Sequence, residues 1–487
     1  MLRLTSAIVL LCALANCQQT VDDVLRIFTK VYSHVEQNAA DPVNPEYAIF
    51  EGALPGAVRA LDPFSAFLTT DRFAQLREMQ ESKEKGFGSI VSILPGRIIV
   101  LQVLPETPMA RAGIEPGDEL IAVNNYLIQA LDDQQILQLL SEARQGQVNV
   151  VVRRADSVRP LQFTLIPQEM DSRSVDRAFL LRDGIAYIRI KAFEGETARQ
   201  FRDALESLGG DALRGLVLDL RDNPGGVVDA ALDISAFLLP PGAVILSARG
   251  RAQAPVEERV PAAARPYKFP IAVLINEKTA SAAEIVAGSL RDHKRAILLG
   301  ERSYGKGLVQ QVFPLSMGAG LALTTSYYYT PSGASIQRPL KNSQVKEQID
   351  PASAAGTGNP RGEGGIAPNE TVLPPAANQF RYVLEGTGSF SSFATEYLRS
   401  HPKLTEAFEV NGILLDEFQF FLSQRNIRPS LAMWTANSDY VRLRLKTEIF
   451  NQGLGVEFGE KVETELDPPI QRALELLTNA APLQAQH

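Results

Sequence analysis

Ser281 lies in the run Lys278-Thr279-Ala280-Ser281-Ala282-Ala283-Glu284-Ile285, directly after the apolar stretch Ile271–Ile275. The apolar stretch reads as a buried strand, and the small residues after Ser281 read as a helix. Ser281 therefore falls at a strand-to-helix corner, the position of a nucleophile elbow in hydrolases. There a hydroxyl is exposed at the sheet end where ligands bind. The helix N-terminus favours developing negative charge, and the Ala282 N–H can point into an oxyanion hole. The same corner is also an ordinary place for a serine N-cap, and this stretch alone leaves both readings open.

A serine nucleophile needs a base. The chain has four histidines, His34, His293, His401 and His487. Only His293 is near in sequence, and it follows Ser281 by twelve residues along one helix, about 18 Å. A Ser-His-Asp triad is thereby excluded. A lysine can serve if burial lowers its pKa and leaves a neutral amine. Lys306 stands in Gly300-Glu301-Arg302-Ser303-Tyr304-Gly305-Lys306-Gly307-Leu308-Val309-Gln310. Its flanking glycines permit close backbone approach. Gln310, four residues on along a strand, faces the same side and can orient the amine. Alone, the stretch also reads as a solvated lysine in a glycine turn.

Two further features bear on this region. Gly300–Lys306 spells the start of a phosphate-binding loop, but Gly307 occupies the place of the required Ser or Thr. A β-type run ending at Pro314 also replaces the required helix, so nucleotide binding is disfavoured. Upstream, the buried run Leu216–Leu220 enters Asp222-Asn223-Pro224-Gly225-Gly226, a type II turn signal. Such a turn can present N–H groups to an oxyanion, although most Pro-Gly turns only reverse the chain. Asp219 and Asp222 lack the further ligands that a metal needs.

These stretches belong to a larger alternation across about residues 170–340. Strands are expected at Ile185–Ile190, Leu216–Leu220, Ile271–Ile275 and Ala296–Leu299. Helices are expected at Ala198–Leu208, Val228–Leu238 and Ser281–Asp292, giving an α/β layer arrangement. Before it, residues 86–168 hold short apolar runs, among them Ile98–Val103, Leu120–Val123 and Val148–Arg153, with one helix near Asp132–Ala143. This describes a small, partly open barrel. Residues 18–85 and 376–487 read as helical, and 351–375 as a Gly/Pro-rich loop or linker returning to the core.

With 487 residues, two to four domains are expected. A hydrophobic share of 45% and a charged share of 21% describe globular composition rather than disorder. The net charge of -8, without a Lys/Arg cluster, excludes a nucleic-acid partner. Residues 1–17 combine Arg3 with an apolar run too short for a stable membrane span, the layout of a secretory signal. Ala13-Leu14-Ala15 fits a cleavage site, while Leu14-Ala15-Asn16-Cys17 is an imperfect lipobox whose Cys17 offers a lipid anchor. A buried N-terminal helix is the third reading. Cys12 and Cys17 are the only cysteines, so the mature chain has no disulfide or thiol nucleophile.

Together the Ser281, Lys306 and Asn-Pro-Gly-Gly stretches resemble the carboxyl-terminal processing, or tail-specific, serine proteases. The resemblance spans about residues 20–375. Asp62-Pro63-Phe64-Ser65-Ala66-Phe67-Leu68 looks like an N-terminal signature of that family. Gly86–Val103 and Arg111–Asp118 look like its PDZ domain, and Tyr327–Gly333 and Gly365–Pro368 match as well. It implies a multidomain α+β protein. An α/β protease core at 169–350 would carry an inserted PDZ-like barrel, with helical N- and C-terminal regions.

The resemblance implies Ser281 as nucleophile and Lys306 as general base, 306 − 281 = 25 being the family's dyad separation. It gives Gln310 an orienting role and assigns the oxyanion hole to Gly225 or Gly226 with Ala282. It also implies a charge-relay role at Asp292. Eleven residues of helix, about 16 Å, make support of the fold the expected role there instead.

The PDZ-like domain would capture protein or peptide substrates with free apolar C-termini. N–H groups of the Gly86–Ser89 loop, which includes Phe87 and Gly88, would bind the carboxylate, and Ile90 and Val91 would line an apolar pocket. No metal or organic cofactor is implied. The location implied is the bacterial periplasm or cell envelope, with lipid anchoring through Cys17 as one form. Three departures stand out: Ala283 replaces a usual serine, Lys341–Glu363 is a long insertion, and the region after about 380 matches no family pattern. That last region has dimerisation, giving a homo-oligomer, or substrate recruitment open to it. The competing non-enzymatic reading is a PDZ adaptor with an inert protease domain, against which the intact Ser281, Lys306, Gln310 and glycines argue.

Overall fold

The fold was obtained as a computed structural model, which describes residues 20–80, 83–94, 96–154, 157–252, 254–339, 364–374 and 378–479. The expected signal at 1–17 with Cys12 and Cys17, and the whole of the Lys341–Glu363 insertion, lie outside the described residues.

Runs of apolar residues without alternation become the strands of the core sheet. Its order is Val175–Leu180, Ile185–Ile190, Gly215–Asp219, Ile271–Ile275, Ala296–Gly300 and Glu370–Thr371. The first pair is antiparallel and the others are parallel. Every residue of Gly215–Asp219 and Ile271–Ile275 is buried, because helices cover both faces. On one face lie the helices Thr197–Leu208, Val228–Leu238 and Ala282–Asp292, packed through Phe201, Ile234 and Val286. On the other lies Pro468–Asn479, whose Ile470, Ala473, Leu474 and Leu477 pack on Tyr187, Val217 and Leu274. Pro468–Asn479 therefore belongs to the core rather than to the helical region before it.

A second, five-stranded sheet flanks the first. It joins Val256–Arg259 to Val244–Arg249, Val244–Arg249 to Gly320–Tyr329, and Gly320–Tyr329 to both Leu308–Pro314 and Ala66–Leu68. The strand Ala66–Leu68 lies within the region expected to be helical. The rest of that region does hold helices, at Val21–Asn38, Leu54–Arg59 and Thr70–Gln80. Three residues carry too short a pattern to be read as a strand, and their partner, Gly320–Ala322, is far along the chain.

The inserted barrel is an antiparallel sheet of Ser89–Leu94, Arg97–Val103, Glu119–Val123, Val148–Arg153 and Leu161–Leu165, with Tyr126–Leu127 beside the third of these. The helix Asp133–Ala143 closes its core through Ile136, Leu139 and Ala143, and Asp132 caps that helix. Lys83–Gly86 pairs with Gln168–Asp171, joining the two ends of the insertion at a short neck. Beyond residue 378, five helices between Gln379 and Glu463 enclose an aromatic core with Phe390, Phe393, Phe418 and Phe421. They also touch the barrel: Arg97 Nη1 donates to Ser392 Oγ at 2.8 Å, and Val456 packs on Ile99 and Leu101.

Candidate active site

Ser281 follows the strand Ile271–Ile275 through a tight turn and precedes the helix Ala282–Asp292. Its backbone has φ 55° and ψ −118°. A non-glycine residue in that region carries about 1–3 kcal/mol of strain, so the surrounding structure must hold it. Its N–H donates to Glu284 Oε2 at 2.9 Å, and its carbonyl accepts from the buried Tyr328 hydroxyl at 2.9 Å. Ser281 itself remains half-buried and lines a cleft of about 560 Å³ with Lys306, Gln310, Gly225 and Gly226.

The Asn-Pro-Gly-Gly turn packs onto this elbow. A Cβ on Gly225 would lie 2.7 Å from Ser281 Cβ and 2.9 Å from the Ala282 nitrogen, so only glycine allows the approach. The buried Asn223 shapes the turn: its Nδ2 donates to the Ile190 carbonyl at 2.7 Å, and its Oδ1 accepts the Gly225 N–H at 2.8 Å. The Gly225 N–H is thereby occupied. Among the described residues the N–H groups of Gly226 and Ala282 have no acceptor, and such unpaired donors beside a serine suit a developing oxyanion.

The lysine loop follows the adjacent strand Ala296–Gly300. Lys306 is half-buried, and burial lowers its ammonium pKa below the usual lysine range, although the Asp62 and Glu284 carboxylates oppose the shift. Lys306 Nζ donates to Gln310 Oε1 at 3.2 Å and sits 4.9 Å from the centre of the Phe64 ring. Among the described residues no hydrogen bond joins Lys306 Nζ to Ser281. The lysine and the serine share a cleft, and the lysine's partner is the glutamine.

Sequence reading overlooked the residue that ties the two loops together. Glu284 is fully buried. Its Oε2 accepts the N–H groups of Ser281 and Lys306, both at 2.9 Å, and its Oε1 accepts the Gly305 N–H at 2.7 Å and the Ser303 hydroxyl. Burial pushes its carboxyl pKa up, while those four donors stabilise the ionised form. The spacing Ser281-x-x-Glu284, that of a capping box, was the available signal.

Asp292 is not brought to the cleft. Its Oδ2 accepts the Ser332 N–H at 3.1 Å and its Oδ1 pairs with Arg291. Burial acts to raise its pKa, but hydrogen bonds from Thr330 and Ser332 and the Arg291 charge hold it below the ordinary value. It fastens the turn after Tyr329.

In the barrel, Gly88 has φ +80°, and a Cβ there would overlap Thr107 at 2.2 Å. The Phe87 and Gly88 carbonyls accept from the N–H groups of Met109 and Leu104. Within the sheet, Ser89–Leu94 pairs only with Arg97–Val103, so its other edge is open among the described strands. Ile90 and Val91 do not line one pocket together. Val91 packs on the barrel core while Ile90 is 38% exposed, as neighbours on a strand face opposite sides.

An α/β core with a serine elbow, glycine-turn donors and an inserted barrel defines the class: a serine peptidase carrying a PDZ domain. A model of peptidase family S41 matches residues 184–350, and a PDZ-domain model matches residues 99–154. The carboxy-terminal-processing protease of Bartonella bacilliformis is 31% identical over 328 residues, 66% of this chain and 74% of that protein. The chloroplastic carboxyl-terminal-processing peptidase 2 of Arabidopsis thaliana is 33% identical over 307 residues, 59% of each chain. The carboxyl-terminal-processing protease of Synechocystis is 31% identical over 284 residues, 57% of this chain and 66% of that one. The chain belongs to the carboxyl-terminal-processing proteases, a family of serine-type peptidases.

Proposed function

We propose that this chain is an endopeptidase in which Ser281 attacks the scissile carbonyl and Lys306 accepts the serine proton. The reading rests on one observation: Ser281 lines the same cleft as a half-buried lysine and Gly226, and among the described residues the N–H groups of Gly226 and of Ala282, next to the serine, have no acceptor. The oxyanion forms against Gly226 and Ala282, donors of a kind each worth about 10²–10³ in rate. Lys306 then returns the proton to the leaving amine, and water releases the acyl group from Ser281. Gln310 holds the amine in place until Lys306 turns from Gln310 to Ser281. The cleft walls carry Leu232, Leu246, Val256, Ile285 and Leu308, which suit an apolar substrate side chain beside the cut bond.

The PDZ domain selects the substrate. A free C-terminus adds as a strand along the open edge of Ser89–Leu94, its carboxylate at the Phe87–Ser89 loop and its last apolar side chain near Ile90. These properties fit an exported enzyme working on proteins of the cell envelope. Among the described residues no helix is long and apolar enough to cross a membrane.

The test is degradation of an unstructured protein with an apolar free C-terminus by wild type, Ser281→Ala and Lys306→Ala. Cleavage by wild type alone supports the dyad. Normal cleavage by Lys306→Ala removes the lysine from the mechanism, and an inert wild type with bound substrate tails favours the adaptor reading.

A further inference from the structure

We propose that Phe64 is a positioning residue for Lys306, its carbonyl fixing Gln310 and its ring covering the amine from water. This rests on the reading of Lys306 as the base.

The first support is the direction of the Gln310 amide. Its Oε1 accepts from Lys306 Nζ at 3.2 Å, and its Nε2 donates to the Phe64 carbonyl at 2.6 Å. A main-chain carbonyl can only accept. It therefore selects the amide orientation that turns oxygen toward the lysine, because the flipped amide would set donor against donor at Lys306 and acceptor against acceptor at the Phe64 carbonyl. The second support is the ring, 4.9 Å from Nζ. An aromatic face attracts an ammonium, but it also takes the place of water around it, and loss of hydration favours the neutral amine. Burial is the largest influence on Lys306 and lowers its pKa, and the Phe64 ring is part of what surrounds the amine.

The third support is the effort spent in holding Phe64. Asp62 is buried, and its Oδ1 accepts the N–H groups of Phe64 and Ser65 at 2.8 and 2.7 Å. Its Oδ2 accepts the Ser65 hydroxyl at 2.6 Å. Ser65 Oγ in turn accepts the Thr324 N–H at 3.0 Å, and Thr324 is the strand partner of Gln310. The turn 62–65 is thus locked to the register position that carries the orienting glutamine. Sequence separation makes the arrangement informative: Phe64 and Gln310 are 246 residues apart.

The experiment is the pH dependence of kcat/KM for full-length wild type, Phe64→Leu and Phe64→Ala, with Lys306→Ala as reference. Opening the amine to water raises its pKa. The acid limb of the profile is therefore expected to move to higher pH, by about one unit for Phe64→Ala and less for Phe64→Leu. At a pH below the limb this reads as about a tenfold loss of kcat with little change in KM. A variant too unstable to assay is examined through Phe64→Leu by the pH dependence of reductive methylation of Lys306, which reports the neutral amine directly. An unshifted limb, or one shifted to lower pH, overturns the proposal while inactive Lys306→Ala keeps the dyad. Active Lys306→Ala overturns the dyad itself.

Discussion

The backbone N–H groups of Ser281 and Lys306 meet on a single oxygen: both donate to Glu284 Oε2, each at 2.9 Å. The separation between the serine elbow and the lysine loop is therefore set by one buried carboxylate. Glu284→Gln replaces an acceptor by an amide donor facing N–H groups, leaving buried donors unmet. Destabilisation of about 2–4 kcal/mol is expected in urea unfolding, with kcat/KM falling by more than the lost folded fraction explains. Unchanged stability would show that the carboxylate is dispensable.

On the proposed mechanism Lys306→Arg keeps the charge and loses the base, because a guanidinium stays protonated. A loss of about 10²–10⁴ in kcat is expected, with the variant as stable as wild type in a thermal melt. In wild type the lowered lysine pKa sets the sign of the pH response: activity rises as pH climbs through it, at a lower pH than an ordinary lysine would give. Retained activity in Lys306→Arg would contradict a neutral-amine mechanism.

Gly225→Ala tests the close approach of the turn. The added methyl meets the Ala280 carbonyl oxygen and Ser281 Cβ, each at 2.7 Å, at a φ of +94°. Displacing the turn carries Gly226 away from the elbow, so kcat is expected to fall by about 10²–10³, with a stability loss of about 1–3 kcal/mol. Circular dichroism separates the two effects.

The strand Ser89–Leu94 divides into an outward and an inward set. Ile90→Asp is expected to raise KM several-fold for a substrate with a free apolar C-terminus, and to change stability by less than about 0.5 kcal/mol. Val91→Asp places a charge against the barrel core and is expected to cost about 2 kcal/mol or more. An Ile90→Asp enzyme with unchanged KM would remove the edge from substrate capture.

Glu460 gives a pH signature at the contact between the C-terminal helices and the core. Burial raises its carboxyl to about 7, against the charges of Arg177 and Arg189, and its Oε1 lies 2.9 Å from Arg177 Nε. A raised folded-state value means stability present below the ordinary carboxyl range and lost as pH climbs through about 7. Glu460→Gln removes that titration. Wild type should therefore lose ground to the variant from pH 5 to pH 8, by about 3 kcal/mol at most, in melts across that range. A constant difference would locate the raised group elsewhere.

Much of the core was legible because its signal is continuous. Ile185–Ile190, Ile271–Ile275 and Val228–Leu238 were expected with the boundaries observed, since a strand covered on both faces leaves a nearly unbroken apolar run and a helix covered on one face leaves an apolar stripe at its own period. Ser281 and Lys306 were legible through their glycines and small neighbours. What stayed hidden depends on partners distant in sequence. Ala66–Leu68 is too short to show a period. Glu284 resembles a helix surface residue until Ser303, Gly305 and Lys306 close over it. Ile90 and Val91 were assigned one pocket from the family resemblance, without the two-residue period that sends strand neighbours to opposite faces.

The helix Pro468–Asn479 lies across the sheet that bears the serine elbow, its Leu474 and Leu477 against Val217 and Leu274. During synthesis, residues up to about 466 emerge before that cover exists. The nascent sheet must leave Tyr187, Val217, Ala272 and Leu274 bare until that helix arrives. Closure of this face of the sheet thus waits for residues made long after its strands, and a chain cut short of Pro468–Asn479 should be a client of chaperones rather than a working enzyme.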